Sequence, residues 1–294
     1  MKGVSVSEAG APLTVVSDLE RPRPGPNEIF VRSLVVGINP MENFMQQGLL
    51  VESWPTVLGC EAAGVVTEIG EDVSGFGVGD RVFGVVKVGF GAYMAFQEFF
   101  LMESETAFRT PDNVSDDQAA TLGVAFLTAS LGVVTGLHLE LPSPATSIPA
   151  KEAWIVILGG ASAVGQAAIQ IAKLNALKVV ATCSPSNNEL VQNLGADVAL
   201  NYRLPLHEQV GTIGKITGGN FFQVFDPSAQ SSSTAFETLL KVSKRETEEE
   251  KLFATTDDWT DMALAYGIDT YRVHLGKIDH SGSGDALADQ GAKW

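Results

Sequence analysis

The sequence predicts an α/β chain: a small β-barrel over residues 1–140, then a doubly wound parallel sheet over residues 141–294. Three observations carry that prediction. Residues 153–158 are an apolar run that does not alternate, as expected of a parallel strand covered on both faces. This run meets Gly159-Gly160-Ala161-Ser162-Ala163-Val164-Gly165, after which Val164, Ala168, Ile171 and Ala172 recur at helical spacing, giving the first half of a βαβ unit. Before residue 140 the pattern is different: short apolar runs broken by glycine- and proline-rich turns, which suits a barrel.

Taken in order, residues 30–36, 64–69 and 81–86 read as strands, with turn-rich connections at 21–27 and 71–80. Asp116 and Asp117 suit a helix start, and Ala119, Leu122, Ala125 and Phe126 form an apolar stripe for a helix over 116–135. Pro142, Pro144 and Pro149 mark a linker. Beyond it strands are expected at 153–158, 178–183, 197–200, 221–226, 251–255 and 271–275, six in all. Helices are expected over 188–194, 231–242 and 257–266. Residues 241–250, dense in charge, read as a solvated connection, and the small polar tail from Asp279 as frayed.

Composition excludes several functions. A net charge of −16 argues against nucleic acid or an anionic membrane as partner, since both need a basic face. No apolar run approaches the ~18 residues of a membrane span, and Met1-Lys2-Gly3 opens no secretory signal, so the cytosol is the expected location. Two cysteines, Cys60 and Cys183, form no disulfide framework, and four scattered histidines have no ligand spacing, so no metal is expected.

The glycine turn is where chemistry can be placed. Gly159 and Gly160 allow a tight turn, Gly165 lets the helix approach the strand, and the free N–H groups of the helix start suit a pyrophosphate. Ser162 stands where a full G-x-G-x-x-G would have glycine. On this reading Gly160→Val fills the pyrophosphate space and spares the fold. The strand at 178–183 ends in Ser184-Pro185-Ser186-Asn187, where the ribose of a dinucleotide would arrive. An acid there would favour a 2′-hydroxyl, whereas neutral donors tolerate a 2′-phosphate, so NADPH is favoured over NADH. A nucleophile elbow at Gly160-Ala161-Ser162-Ala163-Val164 fails at Val164, and no acid and histidine follow in order.

Gly59-Cys60-Glu61-Ala62-Ala63-Gly64-Val65-Val66, Gly75-Phe76-Gly77-Val78-Gly79-Asp80-Arg81-Val82, the glycine turn and Leu194-Gly195-Ala196-Asp197 together resemble the medium-chain dehydrogenase/reductase superfamily. Gly37-Ile38-Asn39-Pro40, Ala119-Ala120-Thr121-Leu122-Gly123-Val124 and Cys183-Ser184-Pro185-Ser186-Asn187 are similar to its zinc-independent quinone and enoyl reductases, especially fungal trans-acting enoyl reductases of polyketide synthesis. The resemblance implies a GroES-like barrel domain (1–140) and a Rossmann domain (141–294), with the C-terminal return segment to the barrel missing after Trp294. It implies that Pro40, Met41, Glu42 and Asn43 border the nicotinamide, that Gly160, Ala161, Ser162, Ala163, Val164 and Gly165 hold the pyrophosphate, and that Ser184, Pro185, Ser186, Asn187 and Tyr202 hold the 2′-phosphate. Ala254 and Thr255 also fall to the cofactor, and Gly123, Val124, Ala125, Phe126, Leu127, Thr128, Ala129 and Ser130 to an acyl pocket. The metal-ligand positions of zinc members fall at Asn39, Cys60 and Val124, of which only Cys60 could bind metal.

Two substitutions depart from that pattern. Glu42-Asn43 stands where Asp-Trp is usual, and Asn188 where a lysine often meets the 2′-phosphate, leaving Lys173, Lys178 or Arg203 as the nearby cations. The implied activity is NADPH-dependent hydride transfer to the β-carbon of an α,β-unsaturated acyl thioester, presented by a polyketide synthase acyl carrier domain to a monomer or homodimer. Thr128, Tyr93 and water are the candidate proton donors, and no catalytic acid is assigned. The alternatives are a quinone or enone reductase, and a non-redox template or cyclase partner on the same fold.

Overall fold

The computed structural model describes residues 1–51, 53–140, 152–244, 251–257 and 267–274. Among these, Met1–Val124 and Ala125–His274 form two compact units. This division lies ahead of the boundary expected between residues 140 and 141. The reason is packing, since the segment after Val124 belongs to the sheet of the second unit: a Cβ on Gly136 would meet Tyr271 Cδ1 at 2.6 Å, and one on Gly132 would strike the Phe225 ring.

The first unit contains β1 (Gly3–Val6), β2 (Thr14–Val16), β3 (Glu28–Val36), α1 (Pro40–Gln46), β4 (Thr56–Val57), β5 (Glu61–Ile69), β6 (Arg81–Val85), β7 (Phe99–Glu103), β8 (Ala107–Arg109) and α2 (Asp116–Ala119). β1 pairs antiparallel with β2 and β4, and a five-stranded antiparallel sheet runs β7-β3-β5-β6-β8. The expected strands at 30–36, 64–69 and 81–86 are β3, β5 and β6. Ile29, Val31, Met45, Cys60, Ala62, Val82, Met94 and Phe100 fill the core of the unit.

The helix expected over 116–135 is broken. Ser115 Oγ accepts from Gln118 N–H and Gln118 Oε1 accepts from Ser115 N–H, a capping box that starts α2, which runs for one turn. The chain restarts as α3 (Gly123–Ser130) and widens into a π-helical turn at Leu131–Gly136. The expected stripe is therefore not one face: Ala119 and Ala125 are buried, while Leu122 is 39% and Phe126 47% exposed.

The second unit holds β9 (Trp154–Leu158), α4 (Ala163–Leu174), β10 (Lys178–Cys183), α5 (Asn188–Asn193), β11 (Val198–Asn201), α6 (Leu206–Thr217), β12 (Phe221–Asp226), α7 (Ser232–Lys241), β13 (Lys251–Thr255) and β14 (Ile268–Arg272). Among the described residues its sheet has six parallel strands, ordered β11-β10-β9-β12-β13-β14. The six-stranded parallel sheet is as expected, and the residues that fill it (Val156, Leu158, Val180, Val224, Phe253) are buried. α6 was not foreseen. The linker prolines, residues 245–250, most of the helix expected at 257–266 and the tail from 279 lie outside the described residues. No helix among the described residues is long and apolar enough to cross a membrane. Strand order reverses at β9, with β10 on one side and β12 on the other, which opens a crevice at the C-terminal ends of these strands.

Within the glycine turn, Gly159 has φ +90°, the left-handed region glycine enters freely, and Gly160 does not. A Cβ on Gly160 would meet Ala181 Cβ at 2.8 Å and Ile169 Cδ1 at 3.1 Å, so it faces β10 and α4 rather than the pyrophosphate space. This corrects the expectation for Gly160→Val: the branched side chain overpacks the sheet–helix layer, at a cost of about 1–3 kcal/mol. Urea denaturation is expected to show that loss of stability, and a wild-type midpoint would refute the assignment.

Candidate functional site

The turn after β9 is built to present a helix N-terminus. Gly165 backs onto it so closely that a Cβ would lie 2.8 Å from Gly160 Cα. Ser162 caps α4: its hydroxyl donates to Gly159 O (2.9 Å) and accepts from Gly165 N–H (3.0 Å), which explains why serine can stand in place of a glycine. Gly159 N–H donates to Thr182 Oγ1 at 2.8 Å, tying the turn to β10. The first-turn N–H groups of Ala163 and Val164 have no partner within the helix and point out along its axis, at its positive end.

A cleft of about 660 Å³ opens beside this turn, and Ala161, Ser162, Ser184, Asn187 and Tyr202 line it together. Gly160, Ala163, Val164, Gly165, Pro185 and Ser186 are not part of its wall. Ala254 and Thr255 are fully buried in β13, and Thr255 Oγ1 accepts from Asp257 N–H, so neither offers a side chain to a ligand. Sequence reasoning missed further wall residues: Leu206 and Gln209 from α6, beside Tyr202, and Ser228, Gln230 and Ser231 from the β12–α7 connection. Its available signal was Asp226-Pro227-Ser228 at the end of an apolar strand, a turn sequence.

Among the described residues no carboxylate lines the cleft. Of the three cations expected nearby, Lys173 is paired with Asp197 (2.8 Å) and Lys178 with Glu152. Arg203 instead stacks over Tyr202, its Cζ 5.4 Å from the ring centroid, and donates Nε–H to the tyrosine hydroxyl at 3.3 Å. Ser184 Oγ lies 3.1 Å from Ser186 Oγ. Asn188 Oδ1 accepts from the Cys183 thiol at 3.4 Å. The donor set, a capped helix N-terminus flanked by hydroxyls, an amide and one guanidinium, fits an anionic dinucleotide.

In the first unit the positions named for metal gather around two buried carboxylates. Glu42 Oε2 accepts from Asn39 N–H (2.6 Å) and Oε1 from Cys60 N–H (3.0 Å). Glu61 Oε1 accepts from the Asn39 side-chain amide (2.8 Å) and Oε2 from Val124 N–H (2.8 Å). Burial, with Glu42 and Glu61 close by, pushes the Cys60 thiol far up, away from the thiolate a metal would need. Among the described residues no three His, Cys, Asp or Glu side chains come together as a metal site. Glu42 was expected to border the nicotinamide, but its side chain is turned into the core and only 6% exposed. Pro40 and Asn43 are exposed, and Met41 packs partly against the core.

Of the expected acyl-pocket residues, Gly123 lies against the Gly84 backbone of β6, and Ala125, Leu127, Thr128, Ala129 and Ser130 are buried. Val124 is partly buried, and Phe126 alone among the eight has a solvent-exposed side chain. The Tyr93 hydroxyl donates to Glu28.

Burial also raises the Glu61 carboxyl above its ordinary value. The folded state therefore binds this proton more tightly than the unfolded chain. The resulting stabilisation is complete below the ordinary glutamate value of ~4.3 and is lost as pH rises through the raised one. Denaturant titrations from acid to neutral pH are expected to show a decline in wild-type stability that Glu61→Gln lacks. Identical pH profiles would contradict the assignment.

The alcohol dehydrogenase GroES-like domain family matches residues 25–112. Trans-enoyl reductase TOXD of Cochliobolus carbonum is 34% identical over 238 residues, covering 79% of this chain and 77% of that protein. Trans-enoyl reductase tazE of Aspergillus terreus is 34% identical over 203 residues, 66% of each chain. The chain spans about two thirds or less of the length of tazE and several other curated relatives it matches. The Escherichia coli quinone oxidoreductase solved with NADPH shares the fold, with a TM-score of 0.73 at 23% identity over 95% of this chain and 83% of that one. A barrel unit matching the GroES-like family, a parallel sheet with a glycine turn at its switch point, and likeness to TOXD over more than three quarters of both proteins lead to one conclusion: the chain belongs to the trans-enoyl reductase family of the medium-chain dehydrogenase/reductase superfamily.

Proposed function

We propose that this protein is a zinc-independent, NADPH-dependent reductase that transfers hydride to the β-carbon of an α,β-unsaturated acyl thioester carried by a polyketide synthase. The observation that carries the reading is the cleft at the β9 switch point, which among the described residues has no carboxylate on its wall, with Arg203 over Tyr202 at its edge. The trans-enoyl reductase names of the relatives support the substrate class.

When bound, the reduced nicotinamide supplies the hydride. The chain's own part begins with the pyrophosphate, held at the Ala161–Ser162 turn that lines the cleft, at the positive end of α4. Ser184, Asn187 and Tyr202 then take the 2′-phosphate as neutral donors, and Arg203 adds the charge. Tyr202 also holds the guanidinium through its ring and hydroxyl, which limits the rotamer freedom lost on binding. Tyr93 is engaged by Glu28 and Thr128 is buried, so the proton added at the α-carbon is assigned to no side chain.

Three measurements test this reading. Ser184→Asp is expected to weaken NADPH binding at least tenfold, about 1.4 kcal/mol, with NADH changed less or improved. Arg203→Ala is expected to act in the same direction, and Tyr202→Phe more mildly, at roughly 0.5–1.5 kcal/mol. Equal losses for both cofactors in Ser184→Asp would end the 2′-phosphate assignment. Purified protein is expected to carry no stoichiometric zinc, and elemental analysis finding one zinc per chain would overturn that part. Finally, absorbance should show NADPH consumption with a crotonyl or longer enoyl thioester; tight cofactor binding without turnover on any enoyl or quinone acceptor would favour the template reading.

A further inference from the structure

Asp226 ends β12 with no exposed surface, and the proposed reaction does not use it. The β12–α7 connection converges on its carboxylate. Oδ1 accepts from the Ser228 backbone N–H (3.1 Å) and hydroxyl (2.6 Å), and Oδ2 from Ser231 N–H (2.6 Å). The Gln230 N–H also bonds to it. Drawing these donors onto one group bends the chain sharply, and Ala229 at the bend has φ +56°, a left-handed conformation that residues with a Cβ rarely adopt. Such a conformer persists only where its surroundings over-determine it. The loop also touches the candidate site directly. Ser228, Gln230 and Ser231 line the cleft, and Ser228 sits so close to the glycine turn that a Cβ on Gly159 would meet Ser228 Cβ at 2.9 Å.

We propose that Asp226 is a positioning residue that holds the loop of residues 227–231, with Ala229 strained, as a fixed second wall of the dinucleotide cleft. The inference rests on reading that cleft as a dinucleotide site. A loop hydrogen-bonded to a buried carboxylate is already ordered when the ligand arrives, so binding does not bear the entropy of ordering it. Strain at Ala229 is the mark of that preorganisation, because a loop serving only to connect β12 to α7 could relax it.

The test titrates the full chain with NADPH and NADH and measures thermal stability of the same samples. Asp226→Asn places an NH₂ group against N–H donors and releases the loop; the dissociation constant is expected to rise at least tenfold, about 1.4 kcal/mol, for both cofactors alike. Ala229→Gly removes the strain and frees the loop. It is expected to leave the melting temperature at or above wild type while weakening both cofactors about threefold or more, about 0.65 kcal/mol. A merely structural Asp226 would lower stability without changing the affinity of the folded protein, and would leave Ala229→Gly at wild-type affinity. Unchanged affinity in either folded variant overturns the proposal, and if Asp226→Asn does not fold, Ala229→Gly decides alone. Wild-type protein that binds neither cofactor would instead remove the dinucleotide reading on which the proposal rests.

Discussion

The second unit depends on a contact made almost without side chains, the approach of Gly165 to Gly159 and Gly160. Any Cβ at Gly165 would push α4 off the end of β9. The helix axis would then no longer aim its free N–H groups across the switch point, and Ser162 would lose the geometry in which one hydroxyl serves both Gly159 O and Gly165 N–H. Thr182 extends the constraint to the neighbouring strand through Gly159 N–H. The anion-binding character of the turn therefore follows from packing: where the helix starts determines what its first turn can bind.

Buried carboxylates fix chain geometry in both units. Glu42 and Glu61 gather donors from Asn39 just before α1, Cys60 just before β5 and Val124 at the start of α3, while Asp226 gathers them from a single loop. A buried carboxylate is costly unless it is hydrogen-bonded, and the backbone N–H groups that satisfy it are thereby placed. Removing such an acid leaves several unmatched backbone donors at once, so its loss is felt along a segment rather than at a point. The Asn39–Glu61–Val124 bridge links the positions that resemblance had marked for metal, and it does so with neutral N–H donors that need no cation.

Much of this was legible in the sequence because period and residue type agreed. β9, α4 and β10 announce themselves through a non-alternating apolar run, a glycine turn and a helical stripe. α6 escaped because Gly211 and Gly214 depress its helix propensity, although Val210, Ile213 and Thr217 bury one face of it. The short strands β1, β2, β4, β7 and β8 escaped because two to five residues carry too little alternation to register. Glu42 was placed by resemblance, which carries no information on where its side chain turns, and only tertiary structure shows its carboxylate accepting from Cys60 N–H. The loop after β12 offered only the turn sequence Asp226-Pro227-Ser228, and its shape comes from the bonds that Asp226 accepts from Ser228, Gln230 and Ser231.

A chain of net charge −16 that takes an anionic cofactor must confine its attraction to short range. The long-range field repels phosphate, and at physiological ionic strength it is screened beyond roughly 8 Å. Local groups then decide: the positive end of α4, the hydroxyls around it and the Arg203 guanidinium beside Tyr202. Lys173 and Lys178 are already paired with Asp197 and Glu152 and contribute little at the cleft. On the proposed NADPH reading, discrimination between a 2′-phosphate and a 2′-hydroxyl would fall on Arg203 and on the absence of an acid at Ser184. Both act over a few ångströms, where screening is weakest, so added salt should reduce the general repulsion more than it reduces the selectivity.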